Sequence, residues 1–219
     1  LLKRVVAIPG LLRLRISSIE ITELTKDVLD VIRDSSIIVD HMHIPLQAGS
    51  NHVLSLMSRK YDLDYYFNKI NEIREVRPNM AITTDVIVGF PGESEEDFLE
   101  TIDTCKKVGF TKIHVFPYSE RKGTKAMELP DHIEPSVKKE RARRLLLVSK
   151  ELECSYYASF VGSEVTVLVE EEKDGKSYGH TDNYLHVEIP SVLPHNTFVK
   201  VKIQSVSYPY CIGEVSLLQ

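Results

Sequence analysis

Ten residues, Ala81 to Phe90 (AITTDVIVGF), constrain this chain more than any other stretch. They form a nearly continuous apolar run that ends in Gly-Phe, and Pro91-Gly92-Glu93 then leads at once into Ser94-Glu95-Glu96-Asp97. A strand that is apolar on both faces belongs in a parallel sheet with helices packed against it. Ser94 can cap the next helix, and the three acids that follow sit where the helix dipole favours negative charge. Phe98, Ile102 and Cys105 supply its buried stripe, and Gly109 is placed as its C-terminal cap.

The same alternation extends through about two thirds of the chain. RLRISSI (Arg13 to Ile19) reads as a strand, and Thr22 can cap a helix whose Leu24, Val28, Leu29 and Ile32 share a face. HMHIPLQ (His41 to Gln47) is the next strand, followed by a short helix capped at Asn51. A longer helix begins after Asp62 and ends before Pro78. KIHVFPY (Lys112 to Tyr118) is a fourth strand, and a basic helix from Ser136 closes this part. After Phe160 the pattern changes to EVTVLVEEE, SYGHT, YLHVEI, TFVKVKIQSV and CIGEVSLL, divided by Asp-Gly, Asp-Asn and Pro-containing turns. Five short strands in so little chain predict a small barrel. The expected division is therefore residues 1–158, a βα-repeat domain, and residues 159–219, an all-β domain. Four βα units cannot close a barrel, which takes about eight strands, so more chain is expected upstream of a sequence that opens LLKRVVAIPG without Met.

Composition narrows the function classes. With 42% hydrophobic and 27% charged residues the chain is globular. No apolar run approaches the roughly 20 residues of a membrane span, so no membrane partner is expected. Net charge is −5, which provides no global attraction to nucleic acid. Locally, Ser136 to Glu153 carries six basic residues against three acidic ones, whereas Phe160 to Gln219 carries four lysines against eight acids. The three cysteines, Cys105, Cys154 and Cys211, have no Cys-x-x-Cys spacing, so no iron–sulfur or zinc cradle is expected, and a reducing cytoplasm is the expected compartment. His41 and His43 share one strand face, but no third ligand is near them in sequence, so no metal set is expected.

Parallel βα folds bind ligands beyond the C-terminal ends of their strands. Those ends are Ser17-Ser18-Ile19-Glu20, Pro45 to Ser50, Gly89 to Glu93 and Phe116 to Ser119. Hydroxyl, amide and backbone groups there suit ribose and amino-acid portions of a ligand, and Phe and Ile suit a base. On the residues alone, a βα-barrel enzyme with a cofactor at its rim is the furthest reading.

RLRISSIE, HMHIPLQAGSNHVLSLMSRKY, TTDVIVGFPGESEEDF and HVFPYSERKGTKA, in this order, resemble the radical S-adenosylmethionine methylthiotransferases, and the terminal strands resemble the TRAM domain that follows them. The resemblance implies an α/β fold: the C-terminal portion of a radical-SAM (partial TIM) barrel, then a small OB-like TRAM barrel. SSIE with VFPYSxRxGT resembles the branch that methylthiolates C2 of N6-threonylcarbamoyladenosine beside the tRNA anticodon; Ile21, where that branch would carry proline, is a departure. The other branches act on isopentenyladenosine in tRNA or on a ribosomal-protein aspartate. The family implies S-adenosylmethionine and two 4Fe-4S clusters; none of the six cysteines that would hold those clusters is in this sequence, so the chain alone is expected to be inactive, with no catalytic residue of its own.

By the same resemblance, Ser17, Ser18 and Gln47 would meet ribose and amino-acid groups. Gly89, Phe90, Pro91, Gly92 and Glu93 would pass close to the adenine or ribose, and Phe116 and Tyr118 would flank the adenine. Arg59 and Arg121 would contact substrate, and Arg141, Arg143, Arg144, Lys200 and Lys202 would contact RNA. The sulfur donor is not specified by the sequence. Two other classes stay open: a non-catalytic RNA-binding module, and an unrelated barrel lyase, which would need a catalytic lysine or metal set that the strand ends lack.

Overall fold

In the computed structural model, residues 1–216 are described. A short helix α1 (Leu2–Val5) precedes four parallel strands in sequential order, β1 (Leu14–Ile16), β2 (Ile38–His43), β3 (Ala81–Val88) and β4 (Lys112–Pro117). Helices α2 (Lys26–Asp34), α3 (Asn51–Leu56), α4 (Leu63–Val76) and α5 (Glu95–Val108) fill the connections. The core lies on one face of the sheet. Met42 and Ile44 from the second strand region and Ile82, Val86 and Val88 from β3 pack with Tyr66, Ile70, Phe98 and Cys105 from the helices, all buried.

Local chemistry accounts for most boundaries. Asp62 caps α4 by accepting from the Tyr65 amide at 2.8 Å. Ser94 and Asp97 form a capping box at α5, and Gly109 ends that helix in the left-handed region at φ 67°. Two expected caps sit elsewhere. Ser50, not Asn51, caps α3, while Asn51 accepts from the Leu63 amide at 2.8 Å and fastens α4 to the turn before it. Thr22 falls in a 3-10 turn (Ile21–Glu23), and α2 starts after Thr25. The second strand also begins and ends earlier than the apolar pattern predicts, at Ile38 and His43.

Helix α6 (Pro135–Ala158) lies along β4 and leads into β5 (Glu164–Lys173), β6 (Lys176–His180), β7 (His186–Ile189), β8 (Phe198–Ser207) and β9 (Tyr210–Val215). These five close into a barrel in the order β5-β6-β7-β9-β8. Val167, Val187, Ile189, Val201 and Ile203 fill it. Gly213 is required there, since an added Cβ would collide with Val201.

Candidate functional site

The inner face of the four-stranded sheet, opposite the helix-packed core, carries polar side chains. Residues alternate across a strand, so Arg13 just before β1 and Arg15 within it, His41 and His43 of β2, Thr83, Asp85 and Ile87 of β3, and His114 and Phe116 of β4 fall on this face. Register aligns them: His43 pairs with Thr83, Asp85 with His114, and Ile87 with Phe116.

The two ends of this face differ. At the N-terminal end of the strands the small barrel covers it. Arg13 donates to the carbonyls of His180 and Thr166 at 3.3 and 3.2 Å and lies over the Phe198 ring. Tyr184 packs against both His41 (4.5 Å between ring centroids) and the Arg15 guanidinium (4.3 Å). Glu153 of α6 accepts from Lys112 at 3.1 Å and from the Tyr208 hydroxyl at 3.0 Å. Burial holds the His41 ring neutral, with its pKa pushed down to about 3.

At the C-terminal end the face opens into a cleft of about 480 Å³, lined by Gln47, Asp85, Ile87, Phe90, Phe116, Tyr118 and Arg121 among others. Gln47 is set there by a turn with φ 69°; its amide donates to the Asp85 carbonyl and its own carbonyl accepts from the Ile87 amide. The turn is anchored to α5, where Thr101 accepts from the Gly49 amide and Thr104 donates to the Gly49 carbonyl. Gly49 has to be glycine, because an added Cβ would stand 2.6 Å from the Thr101 Cα. The capping carboxylate of Asp97 supports the same turn. Burial opposes its charge, but donors from Ser50, the Ser94 amide and His52 outweigh that and lower its pKa to about 2. Phe116 is half exposed in the cleft, and Phe90 and Tyr118 meet edge to face at 5.1 Å. The Tyr118 hydroxyl is buried without a partner among the described residues.

The cleft therefore gathers Gln47, Phe90, Phe116, Tyr118 and Arg121 of the residues expected from sequence. Ser17 and Ser18 are exposed at the end of β1 and do not line it. The Gly89–Glu93 turn builds the wall from behind. Glu93 is fully buried, accepts from the Gly89 amide at 2.6 Å and pairs with Arg141 at 2.6 Å. That uses up the Gly89 amide, and a Cβ at Gly89 would run into Lys138. Burial raises the Glu93 pKa, and the Gly89 amide and Arg141 counter it. Arg141, expected on RNA, instead points inward and is 5% exposed, because it neutralises this buried carboxylate. Arg144 pairs with Glu95 at 2.6 Å, and Arg59 with Glu20 at 3.4 Å. Arg143 of α6 and Lys200 and Lys202 of β8 stay exposed.

Asp85 and Ile87 are cleft residues that sequence reading missed. Asp85 interrupts an otherwise apolar strand, which was the available signal. The ligand atoms of His43, Asp85 and His114 also lie within 4.8 Å of one another, neighbours that fold from distant parts of the chain. For a cofactor, the cleft's apolar floor with a carboxylate and an amide at its edge fits a nucleoside. The cysteines do not fit an iron–sulfur cluster: Cys105 and Cys211 are buried in different cores, and Cys154 lies on α6.

An open parallel β/α sheet with a ligand cleft beyond its strand ends, joined by a helix to a closed antiparallel barrel, defines the class. Residues 1–105 match the Radical SAM superfamily, and residues 158–215 match the TRAM domain. The chain is 40% identical over 213 residues to the threonylcarbamoyladenosine tRNA methylthiotransferase MtaB of Bacillus subtilis, covering 94% of this chain and 47% of that protein. It is 42% identical over 170 residues to the tRNA-2-methylthio-N(6)-dimethylallyladenosine synthase of Acetivibrio thermocellus, covering 78% of this chain and 35% of that one. The chain belongs to the radical S-adenosylmethionine methylthiotransferase family. It spans about half the length of the MtaB relative. Among solved structures, coproporphyrinogen III oxidase (HemN) from Escherichia coli, a radical SAM enzyme, has a similar fold, with a TM-score of 0.54 at 15% identity over 88% of this chain and 46% of that one.

Proposed function

We propose that this chain is the C-terminal part of a tRNA methylthiotransferase, its first domain (1–158) a portion of a radical-SAM partial barrel and its second (159–219) the TRAM domain. The cleft at the C-terminal strand ends carries the proposal. It would hold the nucleoside part of S-adenosylmethionine, with the base against Ile87, Phe90 and Phe116, and Gln47 and Asp85 at the polar edge. When bound with its iron–sulfur cluster, that cofactor supplies radical and methyl chemistry. This chain's residues would orient the cofactor and exclude water from its base, while the cluster ligands belong outside this sequence.

The substrate reading is N6-threonylcarbamoyladenosine in tRNA, supported by SSIE and the VFPYSxRxGT string and by the 40% identity to MtaB over nearly the whole chain. RNA would meet the exposed cations, Lys139, Arg143 and Lys150 of α6 with Lys200 and Lys202 of the small barrel. Three cysteines that the fold keeps apart from one another suit a reducing compartment, and the cytoplasm is the proposed one. The test is mass spectrometry of tRNA nucleosides from cells lacking the gene. Loss of the methylthio group from threonylcarbamoyladenosine is expected. Loss from isopentenyladenosine instead assigns the other tRNA branch, and an unchanged nucleoside profile overturns the tRNA reading.

A further inference from the structure

The polar residues on the inner face make a chain whose proton direction is fixed from Arg15 as far as the Thr83 hydroxyl. The Arg15 guanidinium can only donate, and its Nη1 lies 2.9 Å from His41 Nδ1. His41 Nδ1 is therefore the acceptor, and the neutral ring must carry its proton on Nε2. That nitrogen lies 3.1 Å from Thr83 Oγ1 and donates to it. The Thr83 hydroxyl proton is then free for His43 Nδ1, 3.0 Å away. With Nδ1 accepting from Thr83, the His43 ring has its proton on Nε2, which lies 3.3 Å from Asp85 Oδ2, a close contact short of hydrogen-bond geometry. His41 and Thr83 are buried, so no solvent competes for these partners. The chain starts under Tyr184 of the small barrel and ends at the cleft.

Asp85 is the open end of this chain. Its side chain is 32% exposed and lines the cleft. With His43 Nε2 beside one oxygen, the other is left as an acceptor facing the ligand space. The same proton placement argues against a cation among His43, Asp85 and His114, because it occupies the nitrogen that a metal would need.

We propose that Asp85 is a ligand-contacting residue that accepts an N–H or O–H of the bound nucleoside, and that Arg15, His41, Thr83 and His43 are positioning residues that orient it. This rests on reading the cleft as the nucleoside site. Two experiments on the protein test it. Two-bond ¹H–¹⁵N correlation of the histidine rings at pH 8 should show both His41 and His43 protonated on Nε2. Thr83→Val should release the His43 tautomer, and Thr83→Ser should keep it. A His43 ring protonated on Nδ1, or stoichiometric Zn²⁺ uptake lost in His114→Ala, overturns the proton assignment.

Calorimetric titration with S-adenosylhomocysteine reads the second half. Asp85→Asn should weaken binding at least about tenfold, as loss of a hydrogen bond to a charged group does. Thr83→Val should weaken it less, with Thr83→Ser restoring it. If Phe116→Ala weakens binding and Asp85→Asn does not, the cleft reading stands and the role of Asp85 falls. If neither variant changes binding, or the unaltered protein binds nothing, the cleft reading itself fails and the role of Asp85 with it.

Discussion

The two ends of the sheet's inner face are built from the same alternation and end up opposite in character. At the end covered by the small barrel, Arg13 is engaged on two carbonyls, Arg15 on His41 and Tyr184, and Lys112 on Glu153. At the open end Phe116 is half exposed, and the Asp85 side chain is 32% exposed. Burying a polar group without a partner costs stability; at the open end the Tyr118 hydroxyl is such a group, so that end has a partner to gain and the covered end, among the described residues, does not. That contrast separates a structural contact from a binding site more sharply than residue type does.

The contrast can be broken by substitution. The largest effect is expected behind the cleft wall, where Arg141→Ala would strand Glu93 as an unpaired buried carboxylate. A loss of about 3–5 kcal/mol is expected from denaturant unfolding, whereas Arg121→Ala at the open rim should cost less than about 0.5 kcal/mol. Equal effects would mean that the open end is also structural. At the covered end, Tyr184→Ala removes a ring that packs at a tilt against His41 and lies under Arg15, worth about 1–2 kcal/mol. Phe116→Ala should leave the melting temperature nearly unchanged, because its ring is half in solvent already.

Acid should act at the covered end. His41 is neutral when folded, with a pKa near 3, while in the unfolded chain it takes up a proton near pH 6.5. Between these values the unfolded state binds more protons, so stability falls as pH drops from about 6.5 toward 3, by at most about 1.4 kcal/mol per pH unit from this group. Melting curves at pH 7 and pH 5 should differ, and His41→Gln should shrink the difference. The smallest effect is expected on RNA. Replacing Lys139, Arg143 and Lys150 together with alanine should flatten the salt dependence of tRNA binding by up to about 3 in log–log slope. An unchanged slope would remove α6 from the interface.

Much of this fold is legible in the sequence, because its signals are local. The apolar run of β3, the Ser94 capping box, Gly109 and the turn-divided strands after Phe160 each dictate their own element. The cleft was legible in part. Gln47, Phe90, Phe116 and Tyr118 stand at strand ends, where position alone marks them. Long-range pairing was not legible. Nothing near Arg141 in sequence shows that it meets Glu93, 48 residues away, and a run of basic residues reads as a solvated, RNA-facing surface until one member is found buried. Asp85 was hidden in the same way: its meaning depends on His43 and His114, which only the sheet register places beside it.

The most direct test of the central claim, that the open end is the nucleoside site, is amide chemical-shift mapping during titration with S-adenosylhomocysteine. Shifts confined to Gln47, Asp85 to Phe90 and Phe116 to Arg121 are the predicted result. Shifts centred instead on Thr83, Tyr156 and His186, around the small cavity at the covered end, would contradict the account.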